Sequence, residues 1–396
     1  MAVRDPRSAP AHVLIVGGGG TGGALAHDLA LRGLKVTLVE RGEFTSGTTG
    51  RHHGLLHSGA RYAVNDHESA VECIQENTLL RRIAPGSFEE NDGLFVAITD
   101  EDMEFLPPFL AGCEASGIPA QPLTAAEALR LEPLLNPALR AAVRVPDATM
   151  DAMRMPLRFF ASARANGAEL LNHLEVTGLL QQGGVVGGVA YRDHVNGRDG
   201  QIRADLVVNA SGPWSEQVAT MAGVDVPIRP SPGVMVALRG RLCNMVVNRL
   251  HPSGDGDILV PQRGLTVVGT SSWVVTDPDD LTIPPDHVQR MEDEGSKLIP
   301  AVRDAPVRAT WSAARPLIGS RDPADSGREL SRTFETIDHA AVDGVEGFVT
   351  ITGGKATTLR GMAEHCADIV CRKLDVQEPC RTRDTILLPH TAYYAA

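Results

Sequence analysis

Apolar positions change their period several times along the chain, most sharply near its start. Residues 13–16 form a short continuous apolar run, the pattern of a strand buried on both faces. Gly17, Gly19 and Gly22 follow in a G-x-G-x-x-G. Apolar residues then recur at helical spacing (Ala24, Leu25, Leu29, Leu31) until Gly33 ends the helix. A second apolar run over 35–39 closes on Glu40. The pattern predicts strand, tight turn, helix, strand and terminal acid. The first glycine permits the turn, the second lets a pyrophosphate approach the backbone, and the third lets the helix pack close to its strand. Glu40 stands at the distance suited to gripping a ribose hydroxyl.

Further along, helical periodicity predicts helices over 67–84, 101–116, 125–132, 155–166, 286–298 and 357–373. Short apolar runs predict strands over 93–98, 141–145, 169–171, 176–180, 185–192, 201–208, 228–238, 257–260, 266–269, 334–337 and 347–351. Gly183-Gly184 and Asn196-Gly197 mark turns in a meander. Residues 207–214 (VVNASGPW) repeat the opening logic: an apolar strand ends in small residues where a backbone must come close to something. The alternation is that of an α/β (α+β) chain, but not a uniform βαβ array. It predicts a Rossmann-like nucleotide-binding domain assembled from residues 1–90, 145–225 and 335–396. A mixed-sheet substrate domain of 91–144 and 226–334 is inserted between those segments.

Composition narrows the function. With 396 residues the chain suits two domains, and 40 glycines with only 4% aromatic residues fit many tight turns around a cofactor. A net charge of −12 argues against a nucleic-acid-binding surface, so an anionic substrate needs a local cationic cluster. No segment approaches the roughly 18–20 uninterrupted apolar residues of a membrane span. The first dozen residues lack a signal-peptide core and read as a loose leader. The six cysteines contain no C-x-x-C pair, and reduced cysteines in a cytoplasmic chain, without a metal site, are the expectation.

Two stretches carry candidate chemistry. In the loop 46–62, Gly47, Thr48 and Thr49 offer donors to a pyrophosphate and Arg51 offers charge. His57, beside Ser58 and Gly59, lies where backbone can approach a flat ring and is read as a site residue. His52 is read as an exposed loop histidine. Toward the other end, Arg315 precedes a proline and Arg332 begins a strand. Gly353-Gly354, Lys355 and Thr357 form a strand-to-helix junction whose N–H groups suit an anion or the pyrimidine edge of a flavin. Arg315, Arg332 and Lys355 make the best local cationic cluster for a phosphate or carboxylate.

In this order and spacing, the opening glycine unit, GRHHGLLHSGARYAV, VPDATMD, VVNASGPW, DILVP, VVGTSS, RPLIGS and ITGGKATTLR span nearly the whole chain. They resemble the A subunits of anaerobic glycerol-3-phosphate dehydrogenases, within the D-amino-acid-oxidase-like family of FAD enzymes. The resemblance implies a domain of the glutathione-reductase/D-amino-acid-oxidase type holding non-covalent FAD. Its adenosine half would lie on Gly17, Gly19, Gly22, Glu40 and Arg41, with Val176, Ala210, Gly212 and Trp214 nearby. Its ring system would lie between the His57–Gly59 loop and Gly353–Thr357. The resemblance also implies oxidation of sn-glycerol 3-phosphate at its secondary alcohol to dihydroxyacetone phosphate, with hydride passing to flavin N5. Arg315, Arg332 and Lys355 would hold the phosphate or orient the alcohol, with Arg51 nearby and His57 accepting or orienting the proton. Electrons would leave for a quinone through iron–sulfur and membrane-anchor partner subunits on the inner face of the cytoplasmic membrane.

Three features depart from that family. Its members carry a long iron–sulfur-type C-terminal extension beyond the point matching Ala396. They have tyrosine where Leu359 stands, and Lys-Gly where this chain has Pro232-Gly233. A 2-hydroxyglutarate-type FAD dehydrogenase shares the H-S-G signature and an arginine-bound anion. A non-catalytic electron-transferring flavoprotein shares the cofactor alone.

Overall fold

The computed structural model describes residues 9–319 and 333–395, which leaves Arg332 outside the described residues. A six-stranded sheet runs in the order Phe334–Asp338, Phe348–Gly353, Leu206–Asn209, His12–Val16, Lys35–Val39, Glu169–Leu171. Every neighbouring pair is parallel except the first, which is antiparallel. Val13, Leu14 and Ile15 are wholly buried, as a continuous apolar run in a covered parallel sheet requires. The helix Gly20–Leu31 packs on one face beside Arg154–Ala165 and Leu359–Lys373. On the other face, Leu14, Val16, Val207 and Phe348 join an apolar cluster with Val186 and Val189 of a three-stranded meander.

A second, eight-stranded sheet runs Val307–Ile318, Ile228–Arg239, Leu265–Gly269, Ile258–Gln262, Val246–Arg249, Gly93–Ala97, Ala141–Val145, Gln121–Thr124. It is antiparallel apart from the pairing of Val246–Arg249 with Gly93–Ala97. The helix Pro285–Leu298 covers it, burying Met291 and Leu298.

The expected elements recur with ends moved by a few residues, and there are two corrections. The single strand expected over 201–208 is two: Arg198–Arg203 ends the meander, and Leu206–Asn209 enters the main sheet. The chain changes sheets at Ala204 and Asp205, where the Asp205 carboxylate accepts the His12 N–H at 2.7 Å. Three strands of the second sheet, Gln121–Thr124, Val246–Arg249 and Val307–Ile318, had no sequence expectation. Val307–Ile318 is an edge strand whose first half is exposed, so it lacks alternation and tolerates Pro316. Among the described residues no helix is long and apolar enough to cross a membrane.

Candidate active site

A cavity of about 1350 Å³ lies between the carboxyl ends of the six-stranded sheet and the inner face of the eight-stranded one. Val16, Val39, Ala210 and Ile351 bring four strand ends to it, while Met235, Ile258 and Ala313 line it from the other sheet. Ligands of open α/β sheets bind at such strand ends. The volume exceeds that of ordinary drug-sized sites, leaving room for a dinucleotide with a small substrate.

At the end nearest the glycine turn the three glycines have different surroundings. Gly17 sits at φ +114°, and a Cβ there would lie 2.5 Å from the Ala210 carbonyl oxygen. A Cβ on Gly22 would lie 2.0 Å from the Gly17 oxygen, so this position serves helix–strand packing and does not line the cavity. Gly19, the N-cap of the opening helix, does line it, and its Cβ would meet Thr49 Oγ1 at 3.2 Å. Glu40 accepts the N–H of Gly18 at 2.7 Å and of Gly42 at 2.8 Å. One bond to each oxygen leaves further lone pairs for a ribose diol. Thr49 Oγ1 accepts the Gly20 N–H at 2.9 Å, and Thr48 Oγ1 donates to the Ala314 carbonyl at 2.6 Å. Arg41, Gly47, Arg51, Val176, Gly212 and Trp214 line the same cavity. Arg51 is exposed, its Nε spent on the Ser46 carbonyl at 2.9 Å.

At the far end, two loops are tied together where the His57 N–H donates to Thr357 Oγ1 at 3.0 Å. Asn77, wholly enclosed behind the loop, donates to the carbonyls of Leu56, His57 and Pro146 at 3.4, 3.1 and 3.1 Å. Arg81 in turn donates to Asn77 Oδ1 at 2.8 Å. Buried Asp147 accepts the Ser58 N–H at 2.7 Å, and burial raises its carboxyl above the usual range despite that bond. Gly59 is a correction: it does not line the cavity. At φ +95° it turns the chain tightly against the Ala70 carbonyl, 2.3 Å from where a Cβ would be.

His52 is a second correction. It is half-buried and lines the cavity with His53 and His57. The rings of 52 and 53 lie 6.2 Å apart and those of 53 and 57 lie 6.1 Å apart. Burial lowers His52 to about 4. Burial, followed by the proximity of His57, His52, Arg315 and Arg61, holds His53 well below its ordinary value. Both are therefore neutral near pH 7.

Of the expected cationic cluster, Arg315 and Lys355 both reach the cavity. Arg315 donates to the carbonyls of Ser231, Pro232 and Ser271 at 3.2, 3.4 and 3.1 Å, and to Thr270 Oγ1. A Cβ on Gly233 would lie 2.3 Å from its Nη2, so Gly233 makes the space for that guanidinium. Pro232 supplies one of the carbonyls that hold it. Lys355 Nζ donates to Ser69 Oγ at 2.9 Å, lies 3.9 Å from Glu72 and sits 5.1 Å over the Tyr62 ring. Leu359, 2% exposed, packs its Cδ2 toward Gly20, an apolar contact at the helix start.

The sequence reading missed Arg61, which lines the cavity four positions after His57 in the same loop. Its Nη2 donates to both oxygens of buried Asp257 at 2.7 and 2.8 Å, while its buried Nη1 has no partner among the described residues. The spacing within ARY next to His57 was an available signal for Arg61; nothing local marked Asp257.

The model of the FAD-dependent oxidoreductase family matches residues 12–369. The chain belongs to that family. It is 43% identical over 389 residues to the A subunit of the anaerobic glycerol-3-phosphate dehydrogenase of Escherichia coli, covering 98% of this chain and 71% of that one. The corresponding A1 chain of Haloferax volcanii is 46% identical over 387 residues, covering 94% and 65%. Among solved structures, the Bacillus halodurans glycerol-3-phosphate dehydrogenase complexed with FAD superposes with a TM-score of 0.72 at 25% identity. That match covers 96% of this chain and 68% of the other. Glycine oxidase from Geobacillus kaustophilus shares the fold at a TM-score of 0.75 and 24% identity, covering 92% and 95%. The cavity suits the family's cofactor: a glycine turn at a helix N-terminus, an acid at the second strand end, and two loops meeting at the far end.

Proposed function

We propose that this chain oxidises sn-glycerol 3-phosphate to dihydroxyacetone phosphate. The observation that carries the reading is the convergence of Arg61, Arg315, Lys355 and the His52–His53–His57 ladder at one end of a cavity whose other end suits a nucleotide. FAD, when bound along Gly17–Gly19 and Glu40, would supply a two-electron acceptor for the hydride that the secondary alcohol gives up. In an acidic chain, the Arg315 guanidinium, held by carbonyl and hydroxyl oxygens, supplies local positive charge that a phosphate monoester requires, while the charge of Arg61 is balanced by Asp257. Asp257 fixes the plane of the Arg61 guanidinium at the cavity wall. Buried Lys355, its charge partly offset by Glu72, stands beside the two loops and orients the alcohol. His57, its backbone held by Thr357 and Asn77, receives the hydroxyl proton. His53 is too weakly basic to take that proton near neutral pH and serves as a hydrogen-bonding neighbour. Electrons pass onward to partner proteins, a step supported by the relatives being named as one component of a larger enzyme.

Anaerobic mixing of the FAD-loaded protein with sn-glycerol 3-phosphate tests the reading, and bleaching of the flavin absorbance is expected. Bleaching by 2-hydroxyglutarate and not by glycerol 3-phosphate would overturn it in favour of a hydroxyacid dehydrogenase. Bleaching by neither would leave a flavoprotein that oxidises no such alcohol.

A further inference from the structure

Three side chains from separate stretches meet at the nucleotide end of the cavity. Arg41 follows the strand Lys35–Val39, Trp214 follows Leu206–Asn209, and Asp279 belongs to the segment that leaves the eight-stranded sheet after Leu265–Gly269. Asp279 accepts both terminal nitrogens of Arg41, at 3.1 and 2.5 Å, and the indole N–H of Trp214 at 3.1 Å. The Arg41 guanidinium lies 4.4 Å from the Trp214 ring centroid, stacked as a cation on an aromatic face.

The sheet order gives this trio its meaning. Strands 35–39 and 206–209 flank strand 12–16 on opposite sides, so Arg41 and Trp214 stand on either side of the glycine turn that follows it. A link between them through Asp279 therefore arches across the groove. Pro278 and Leu281 line the cavity beside Asp279, so the segment walls the groove as well as bridging it. A bond from the Asp279 N–H to Asp277 Oδ1 at 2.9 Å sets the turn that presents the carboxylate.

Resting on the FAD reading above, we infer that Arg41, Trp214 and Asp279 form a strap over the nucleotide groove that governs how fast FAD leaves. Asp279 is the positioning residue, contributed by the segment that follows the strand Leu265–Gly269. Arg41 and Asp279 side chains are 41% and 51% exposed, so the strap is a modest surface link that salt weakens.

The test is the rate of FAD release into an excess of an FAD-binding scavenger, followed by flavin fluorescence, for wild type, Asp279→Asn and Asp279→Lys. At low salt Asp279→Asn is expected to release FAD about fivefold faster, and Asp279→Lys faster still because it repels Arg41. Both ratios to wild type are expected to fall toward one as salt rises above about 0.5 M, where such charges are screened. A general folding defect would not disappear with added salt. Equal release rates for all three proteins, or ratios that ignore salt, overturn the strap and leave the FAD reading intact. A wild-type protein that takes up no FAD overturns both.

Discussion

Gly19 and Gly22 share an amino acid and differ in consequence. A methyl group at Gly22 collides with the Gly17 carbonyl, whereas Gly19 has an ordinary φ of −81° and faces the groove. Gly19→Val is thus expected to fold with a near-native circular dichroism spectrum and yet purify colourless; a yellow, fully loaded variant would contradict the groove assignment. Arg61 is removed cleanly only together with the charge it covers, because Asp257 is 3% exposed. The pair Arg61→Ala with Asp257→Asn is expected to raise the KM for glycerol 3-phosphate by about 10- to 100-fold, the loss of one charge-assisted contact, while FAD occupancy stays high. An unchanged KM would remove Arg61 from the phosphate pocket. His27 illustrates a residue with no part in the site. It is wholly buried in the opening helix, neither ring nitrogen has a partner among the described residues, and burial lowers it to about 4. The unfolded chain takes up this proton near pH 6.5 and the folded one only near 4, so stability is full above 6.5 and declines as pH falls between them. The decline is about 3 kcal/mol by pH 4. In urea melts at pH 7 and pH 4, His27→Leu should lack that share of the acid loss.

Two helices carry the far end of the site. His67–Ile83 backs the His57 loop, and Leu359–Lys373 begins just after Lys355 and Thr357. Arg360, 1% exposed, joins them through both oxygens of Glu76, at 2.9 and 2.5 Å, and also bonds Glu364 at 2.7 Å. The arginine at the end of the ITGGKATTLR stretch therefore works as a brace between elements. Glu76→Gln is expected to lower the unfolding free energy by about 2 kcal/mol, since Glu364 still meets the charge. Asn77→Ala should act differently. With the carbonyls of Leu56 and His57 released, kcat is expected to fall about tenfold with little change in FAD content; a stability loss at unchanged kcat would make Asn77 merely structural. The elements legible beforehand were those marked by an unbroken apolar run or by a helical period, such as the opening unit and the helix 67–83. The strand bearing Arg315 was not legible because half of it lies exposed at a sheet edge and follows no alternation. His52 and Arg61 were misjudged or missed for a related reason. A polar residue within a loop carries no local sign of which cavity the loop will later enclose.

At the scale of the whole molecule, the cavity belongs to neither sheet alone. The six-stranded sheet supplies the strand ends and the eight-stranded sheet supplies Arg315, Gly233 and the Asp279 segment. The resemblance to a family named its ingredients, but the strap across the groove needs the strand order, which no local pattern encodes. That order has a further consequence. One neighbour of Leu206–Asn209, on the side away from His12–Val16, is Phe348–Gly353, more than a hundred positions later in the chain. While a ribosome is still making the intervening stretch, Val207 and Val208 present an open apolar edge with unanswered hydrogen-bonding groups. A nascent chain at that stage is an invitation to aggregation, and its yield in the cell should respond to chaperone supply and translation speed more than the finished protein's stability would suggest.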